Sequence, residues 1–182
     1  NPSPLTALGC YHGILETIKH RYGGSKSLTD MTVVVQGVGA VGVALCELLK
    51  QDGAKLIVAD ISEEGIERAK AVLGDVQVVG VDEIFGVEAD ILAPCAMGGA
   101  LNDDTIAQLK VDIIAGAANN QLLDGHHDKM LKSKNILYVP DYVINSGGVI
   151  CVGYEYFRKS EYNPQDFNIE RGSMVAHVER IG

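Results

Sequence analysis

Six short apolar runs, separated by stretches of helical spacing, constrain this chain more than any other feature. They occupy residues 31–36, 55–60, 76–79, 90–93, 112–115 and 136–139 and are rich in Val, Ile and Leu. Runs this short, apolar on both faces, read as strands covered from both sides. Between them, Val41, Leu45, Leu48 and Leu49, and then Ile66, Ala69 and Leu73, recur at spacings of three and four, which is helical. Short helical patterns also stand at 103–109 and 124–134. Strand–helix alternation implies parallel pairing, because a parallel partner needs a crossover long enough to hold a helix. The expected fold is α/β: a Rossmann-like, doubly wound, mostly parallel six-stranded sheet with flanking helices.

A helix leads into this array. Ser3 is expected to cap it and Pro4 to take its first position, where a missing N–H costs nothing. Leu8, Tyr11, Leu15, Ile18 and Tyr22 form its apolar stripe, and Gly23 and Gly24 end it. From Val143 the pattern is helical again, up to a break at Asn163-Pro164, with a further helix expected from Gln165.

Composition excludes several classes of function. The net charge of −9 repels a phosphate backbone, so no nucleic-acid partner is expected. No run approaches the ~18 apolar residues of a membrane span, and no basic-then-apolar leader opens the chain, so a cytoplasmic protein without a membrane partner is expected. Cys10, Cys46, Cys95 and Cys151 are scattered without paired spacing, which suggests reduced thiols rather than disulfides or zinc. No metal is expected at the histidines either. His126 and His127 are adjacent, so on a helix they would point about 100° apart, and a solvated helix start is expected.

Gly37-Val38-Gly39-Ala40-Val41-Gly42 is a G-x-G-x-x-G that directly follows a strand and opens a helix. In that setting Gly37 allows the tight turn, Gly39 leaves room for a pyrophosphate, and Gly42 lets helix and strand pack closely. The helix N-terminus offers unbonded N–H groups to the phosphates. Asp60 ends the next strand, about twenty residues on, where a carboxylate accepts from both adenosine ribose hydroxyls and repels a 2′-phosphate. Neither Ile61 nor Ser62 supplies a cation for such a phosphate, so NAD is expected over NADP. Asp60 is also placed to cap the following helix, with Glu63 completing a capping box.

Three more segments fall at the carboxyl ends of strands, where open parallel sheets bind ligands. They are Ala93-Pro94-Cys95-Ala96-Met97-Gly98-Gly99, Ala115-Gly116-Ala117-Ala118-Asn119-Asn120-Gln121 and Pro140-Asp141-Tyr142-Val143-Ile144-Asn145-Ser146. Small residues let a ring approach the backbone, and amides bond a carboxamide or carboxylate. Each segment also has a structural reading: Cys95 as a small filler, Asn119-Asn120 as a turn, Asn145 as a helix cap.

Asn1-Pro2-Ser3-Pro4-Leu5-Thr6-Ala7, Gln36-Gly37-Val38-Gly39, Ala93-Pro94-Cys95-Ala96, Ala118-Asn119-Asn120-Gln121-Leu122 and Pro140-Asp141-Tyr142-Val143-Ile144-Asn145 together resemble the glutamate/leucine/phenylalanine/valine dehydrogenases. The resemblance runs from Asn1 to about Tyr156 and is strongest to the leucine and valine branch. It implies NAD-linked, reversible oxidative deamination of L-leucine or another branched-chain amino acid to the 2-oxo acid and ammonia. The cofactor contacts it implies are Thr6, Gly37, Gly39, Ala40, Val41, Gly42, Asp60, Ile61, Cys95, Ala96, Ala118, Asn119 and Asn145. It places Val149 and Val152 against an aliphatic substrate side chain, and three residues apart on a helix they share a face.

The resemblance also implies a division of the chain. Residues 1–24 would lead out of a substrate domain, 25–142 would bind the dinucleotide, and 143–182 would be a helical segment cut short. Both ends look cut, so a piece of a longer, homo-oligomeric enzyme is expected. The family's lysine base and aspartate relay have no match here, and Lys26 reads as a solvated turn residue, so the piece alone is expected to be inactive. An NAD-sensing regulatory module, a phenylalanine or valine dehydrogenase and a hydroxy-acid dehydrogenase remain as alternatives. The last of these calls for a histidine at a strand end, and none stands there.

Overall fold

The computed structural model describes residues 1–157; the break at Asn163-Pro164 and the helix expected from Gln165 lie outside them. All six expected strands form, as β1 Thr32–Gln36, β2 Lys55–Ala59, β3 Gln77–Val78, β4 Ile91–Pro94, β5 Ile113–Ile114 and β6 Leu137–Tyr138. They pair in parallel throughout, in the order β3-β2-β1-β4-β5-β6. The helices are α1 Ser3–Tyr22, α2 Ala40–Gln51, α3 Glu63–Leu73, α4 Asp103–Gln108, α5 His127–Ser133, α6 Asp141–Ile144 and α7 Ser146–Phe157.

The two-residue alternation of side chains along a strand divides the core in two. Val33, Val35, Leu56, Val58, Ile91, Ala93 and Ile113 face α1, α2 and α3, whose Ile14, Leu45, Leu49 and Ala69 are fully buried with them. Val34, Ile57, Leu92 and Ile114 face the other way, onto Ile106 of α4, Leu131 of α5 and a 3-10 turn at Ile84–Gly86. Both faces of the central strands are therefore dry, which is why those runs carry no polar alternation.

Three expectations need correction. The first helix begins at Ser3 rather than after it, and Ser3 N–H donates to Asn1 Oδ1 (3.1 Å), so Asn1 supplies the oxygen assigned to Ser3. Helix α5 starts three residues later than expected, because Asp124-Gly125-His126 forms a turn in which Asp124 N–H meets His127 Nδ1 (3.0 Å). As a result the two histidine rings do not diverge. Their centroids lie 4.0 Å apart, and only His126 is solvated, His127 being 1% exposed.

Candidate functional site

The order β3-β2-β1-β4 places a topological switch between β1 and β4, whose chains leave in opposite directions at their carboxyl ends. Gly37 opens the turn after β1 at φ +96°, in the region that only glycine adopts freely, and its N–H donates to Ala59 O (2.8 Å). Cys95 N–H donates to Gln36 O (2.7 Å), so the loop after β4 departs beside this turn. Contact is close: a methyl on Gly37 would lie 2.7 Å from Ala96 Cβ, and one on Gly42 would lie 2.0 Å from Gly37 O. At Gly39 the same methyl would meet nothing within 4 Å. That open space faces the start of α2, where no side chain caps the first turn and Ala40 is exposed. The arrangement suits an anion with two phosphate groups approaching along the helix axis.

Asp60 stands at the end of β2 and joins this turn directly. Its Oδ2 accepts from Val38 N–H (2.7 Å) and its Oδ1 from Ser62 N–H (2.8 Å). The capping role offered for Asp60 and Glu63 falls instead to Ser62, whose hydroxyl oxygen accepts from Gly65 N–H (3.0 Å). A carboxylate has about four acceptor positions, so Asp60 retains capacity for two hydroxyls after these two bonds. Ile61, next to it, is 86% exposed at the mouth.

The remaining strand-end loops are bonded into one rim. Gly116 packs against β4, where a methyl would lie 2.3 Å from Pro94 O, and Ala118 N–H donates to that same oxygen (2.9 Å). Asn145 Nδ2 donates to Asn119 Oδ1 (2.6 Å) and to Ala117 O (3.3 Å), joining the loops after β5 and β6. Asn145 is the C-cap of α6, just before α7, and its side-chain amide nitrogen bonds these loops rather than a helix end. The half-buried Cys95 thiol is pushed up to about 11 by desolvation, against a hydrogen bond from the Ala117 backbone. It is a thiol at neutral pH, and a filler rather than a nucleophile.

Two residues of this rim escaped assignment from sequence. Gln121 is fully buried and donates through Nε2 to Gly116 O (2.7 Å) and Ala118 O (3.0 Å), holding the small-residue loop in shape. Asp141 Oδ2 accepts from Asn120 N–H (2.6 Å), where Asn120 sits at φ +50°. Both lay inside motifs already singled out for other residues.

Thr6 lies on α1, and Val149 and Val152 on α7, two helices that pack on each other. Thr6 Oγ1 donates to Pro2 O (3.1 Å) and lies where a methyl on Gly148 would sit, 2.3 Å away. Val149 and Val152 are 75% and 51% exposed, so neither is a core residue. A cleft of about 900 Å³ lies beside β6, lined by Arg21, Asn120, Asp128 and Tyr142 among others. None of the expected cofactor contacts lines it.

The Glutamate/Leucine/Phenylalanine/Valine dehydrogenase family model matches residues 58–177. The chain is 50% identical over 187 aligned residues to leucine dehydrogenase of Geobacillus stearothermophilus, covering 100% of this chain and 50% of that protein. Against leucine dehydrogenase of Thermoactinomyces intermedius it is 51% identical over 155 residues, covering 85% of this chain and 42% of that one. The crystal structure of L-tryptophan dehydrogenase from Nostoc punctiforme matches with a TM-score of 0.83 at 42% identity, covering 91% of this chain and 49% of that one. The chain spans about half the length of the relatives it matches.

Proposed function

Because the chain belongs to the Glutamate/Leucine/Phenylalanine/Valine dehydrogenase family, we propose that it is the NAD-binding part of an amino-acid dehydrogenase acting on leucine or another branched-chain amino acid. The observation that carries the cofactor reading is the Asp60 carboxylate, bonded to Val38 of the glycine turn, where it could accept from the ribose hydroxyls. The cofactor fits this chain's residues: Gly39 leaves its approach open, the start of α2 offers N–H groups, and Asp60 keeps unused acceptor sites. Ala40, Val41 and Ile61 flank that path, and Cys95, Ala96, Ala118, Asn119 and Asn145 form the opposite rim. Bound there, the nicotinamide supplies hydride transfer.

Substrate contact is proposed at Val149 and Val152, whose exposed methyls share one helix face, with Thr6 on the neighbouring helix. The branched-chain reading is supported by the likeness to two leucine dehydrogenases. An aromatic substrate is the second reading, favoured by the likeness to a tryptophan dehydrogenase. The catalytic lysine and aspartate that the resemblance implies have no counterpart among these residues. For this chain alone the proposal is cofactor binding without turnover, with homo-oligomeric assembly and a cytoplasmic setting for the whole enzyme.

Titration with NADH and with NADPH, followed by cofactor fluorescence, tests the reading. NADH is expected to bind more tightly than NADPH. Asp60→Ala is expected to weaken NADH about tenfold or more, the usual loss for a charged hydrogen-bond acceptor, and to narrow the gap between the two cofactors. A variant that melts cooperatively yet keeps the wild-type preference would remove Asp60 from the site. A well-folded wild-type chain that ignores NADH would overturn the proposal.

A further inference from the structure

We propose that Asp103, His126 and His127 form a site for a divalent ion of the zinc class, where the start of α4 meets the start of α5. Among the described residues these three bring one ligand atom each to within 4.8 Å of one another. Asp103 Oδ1 lies 3.5 Å from His126 Nε2 and 3.8 Å from His127 Nε2. Tetrahedral zinc with bonds of about 2.1 Å places its ligands about 3.4 Å apart, so a contraction of a few tenths of an ångström closes these two edges. Two imidazoles and a carboxylate suit a borderline ion and leave a fourth position open to water.

The outer shell is already built. A metal-bound imidazole characteristically donates its second N–H to a carboxylate or carbonyl oxygen, which fixes the ring. His126 Nδ1 lies 3.2 Å from Asp124 Oδ1, and His127 Nδ1 lies 3.0 Å from Asp124 O. One residue thus receives both outward nitrogens and turns both Nε2 atoms toward Asp103.

His127 supplies the independent sign of a missing ligand. Its side chain is 2% exposed, and its buried Nε2 has no hydrogen-bond partner. With the Nδ1 proton donated to Asp124 O, Nε2 is a bare lone pair aimed at a carboxylate. With the proton on Nε2 instead, the 3.8 Å to Asp103 is too long for a hydrogen bond. Neither tautomer gives Nε2 a partner, and a cation between the three groups does. Such an ion would fasten α4 to the segment that leads from Gln121 into α5. That segment is already tied to α4's approach through Leu101 N–H to Gln121 O (2.9 Å).

The test uses the full chain, stripped with a chelator and titrated with Zn²⁺ by calorimetry, with Co²⁺ as a spectroscopic reporter. One Zn²⁺ per chain is expected, together with a rise in melting temperature. Co²⁺ is expected to show ligand-field bands without a thiolate charge-transfer band. His126 and Asp103 are exposed, so His126→Ala and Asp103→Ala are expected to fold; metal-free melting checks this, and each variant is expected to lose Zn²⁺ affinity tenfold or more. The proposal is overturned if the cooperatively melting chain takes up no Zn²⁺. It is equally overturned if either variant binds as wild type does, or if cobalt reports thiolate ligation.

Discussion

Gly42→Ala is expected to cost the fold roughly 3 kcal/mol, at the upper end of overpacking effects, and to abolish NADH binding with it. The new methyl would lie 2.0 Å from Gly37 O and 3.0 Å from Gly37 C, and both are backbone atoms that cannot rotate aside. Gly37 itself has little room to yield, since Ala96 Cβ and N stand 2.7 and 2.8 Å from where its own methyl would be. Either α2 lifts off the sheet or the turn loses its shape. At about 2–4 °C per kcal/mol, the melting temperature should fall by about 6–12 °C. Gly39→Ala is the companion variant: its methyl meets nothing, so stability should hold while NADH affinity falls. Equal melting temperatures for wild type and Gly42→Ala would show that the turn relaxes without strain.

Ile14→Ala is expected to destabilise the protein by about 3 kcal/mol, within the range for a fully buried aliphatic side chain cut to a methyl. Ile14 is fully buried in the middle of α1, in the apolar cluster that holds Val33 and Val35 of β1 and Leu45 and Leu49 of α2. Helix α1 touches α2 along its length and carries Ala7, Cys10, Tyr11 and Ile18 into the same core. Chemical denaturation of the variant should therefore remain a single transition at a lower midpoint and unchanged slope, since α1 melts with the sheet. A loss below about 1 kcal/mol, or a separate early transition, would mean that α1 docks on a core complete without it.

The architecture was legible because both faces of the sheet's central strands are dry. Runs such as Val33-Val34-Val35 have no solvated side, and their lack of polar alternation is itself the mark of a parallel, covered strand. The glycine turn was legible for a similar reason, since Gly37 and Gly42 answer backbone constraints that no other residue meets. Three strands were read too long: β3 keeps only Gln77 and Val78, β5 only Ile113 and Ile114, and β6 only Leu137 and Tyr138. Side chains that bridge distant loops left no trace in local spacing. Asn145 reaches Asn119 across 26 positions and Asp141 reaches Asn120 across 21, and nothing in either segment announces its partner. The histidine pair was misread because helical geometry was extended one turn too far. Asp124 ends that geometry by catching both rings.

The strand order has a consequence for how the chain is made. β1 pairs with β2 within one crossover, but its other edge waits for β4, so that Val33 meets Ile91 and Gln36 meets Pro94 only after all of α2, β2, α3 and β3 has been synthesised. Parallel pairings across such loops form slowly, because chain entropy must be given up before the contact rewards it. Until then a flat valine-rich edge with unpaired backbone groups lies open, the kind of surface that recruits strands from neighbouring molecules. The β1 edge at the middle of the finished sheet thus stays open until β4 is made, and a chain released before then exposes that valine-rich strand.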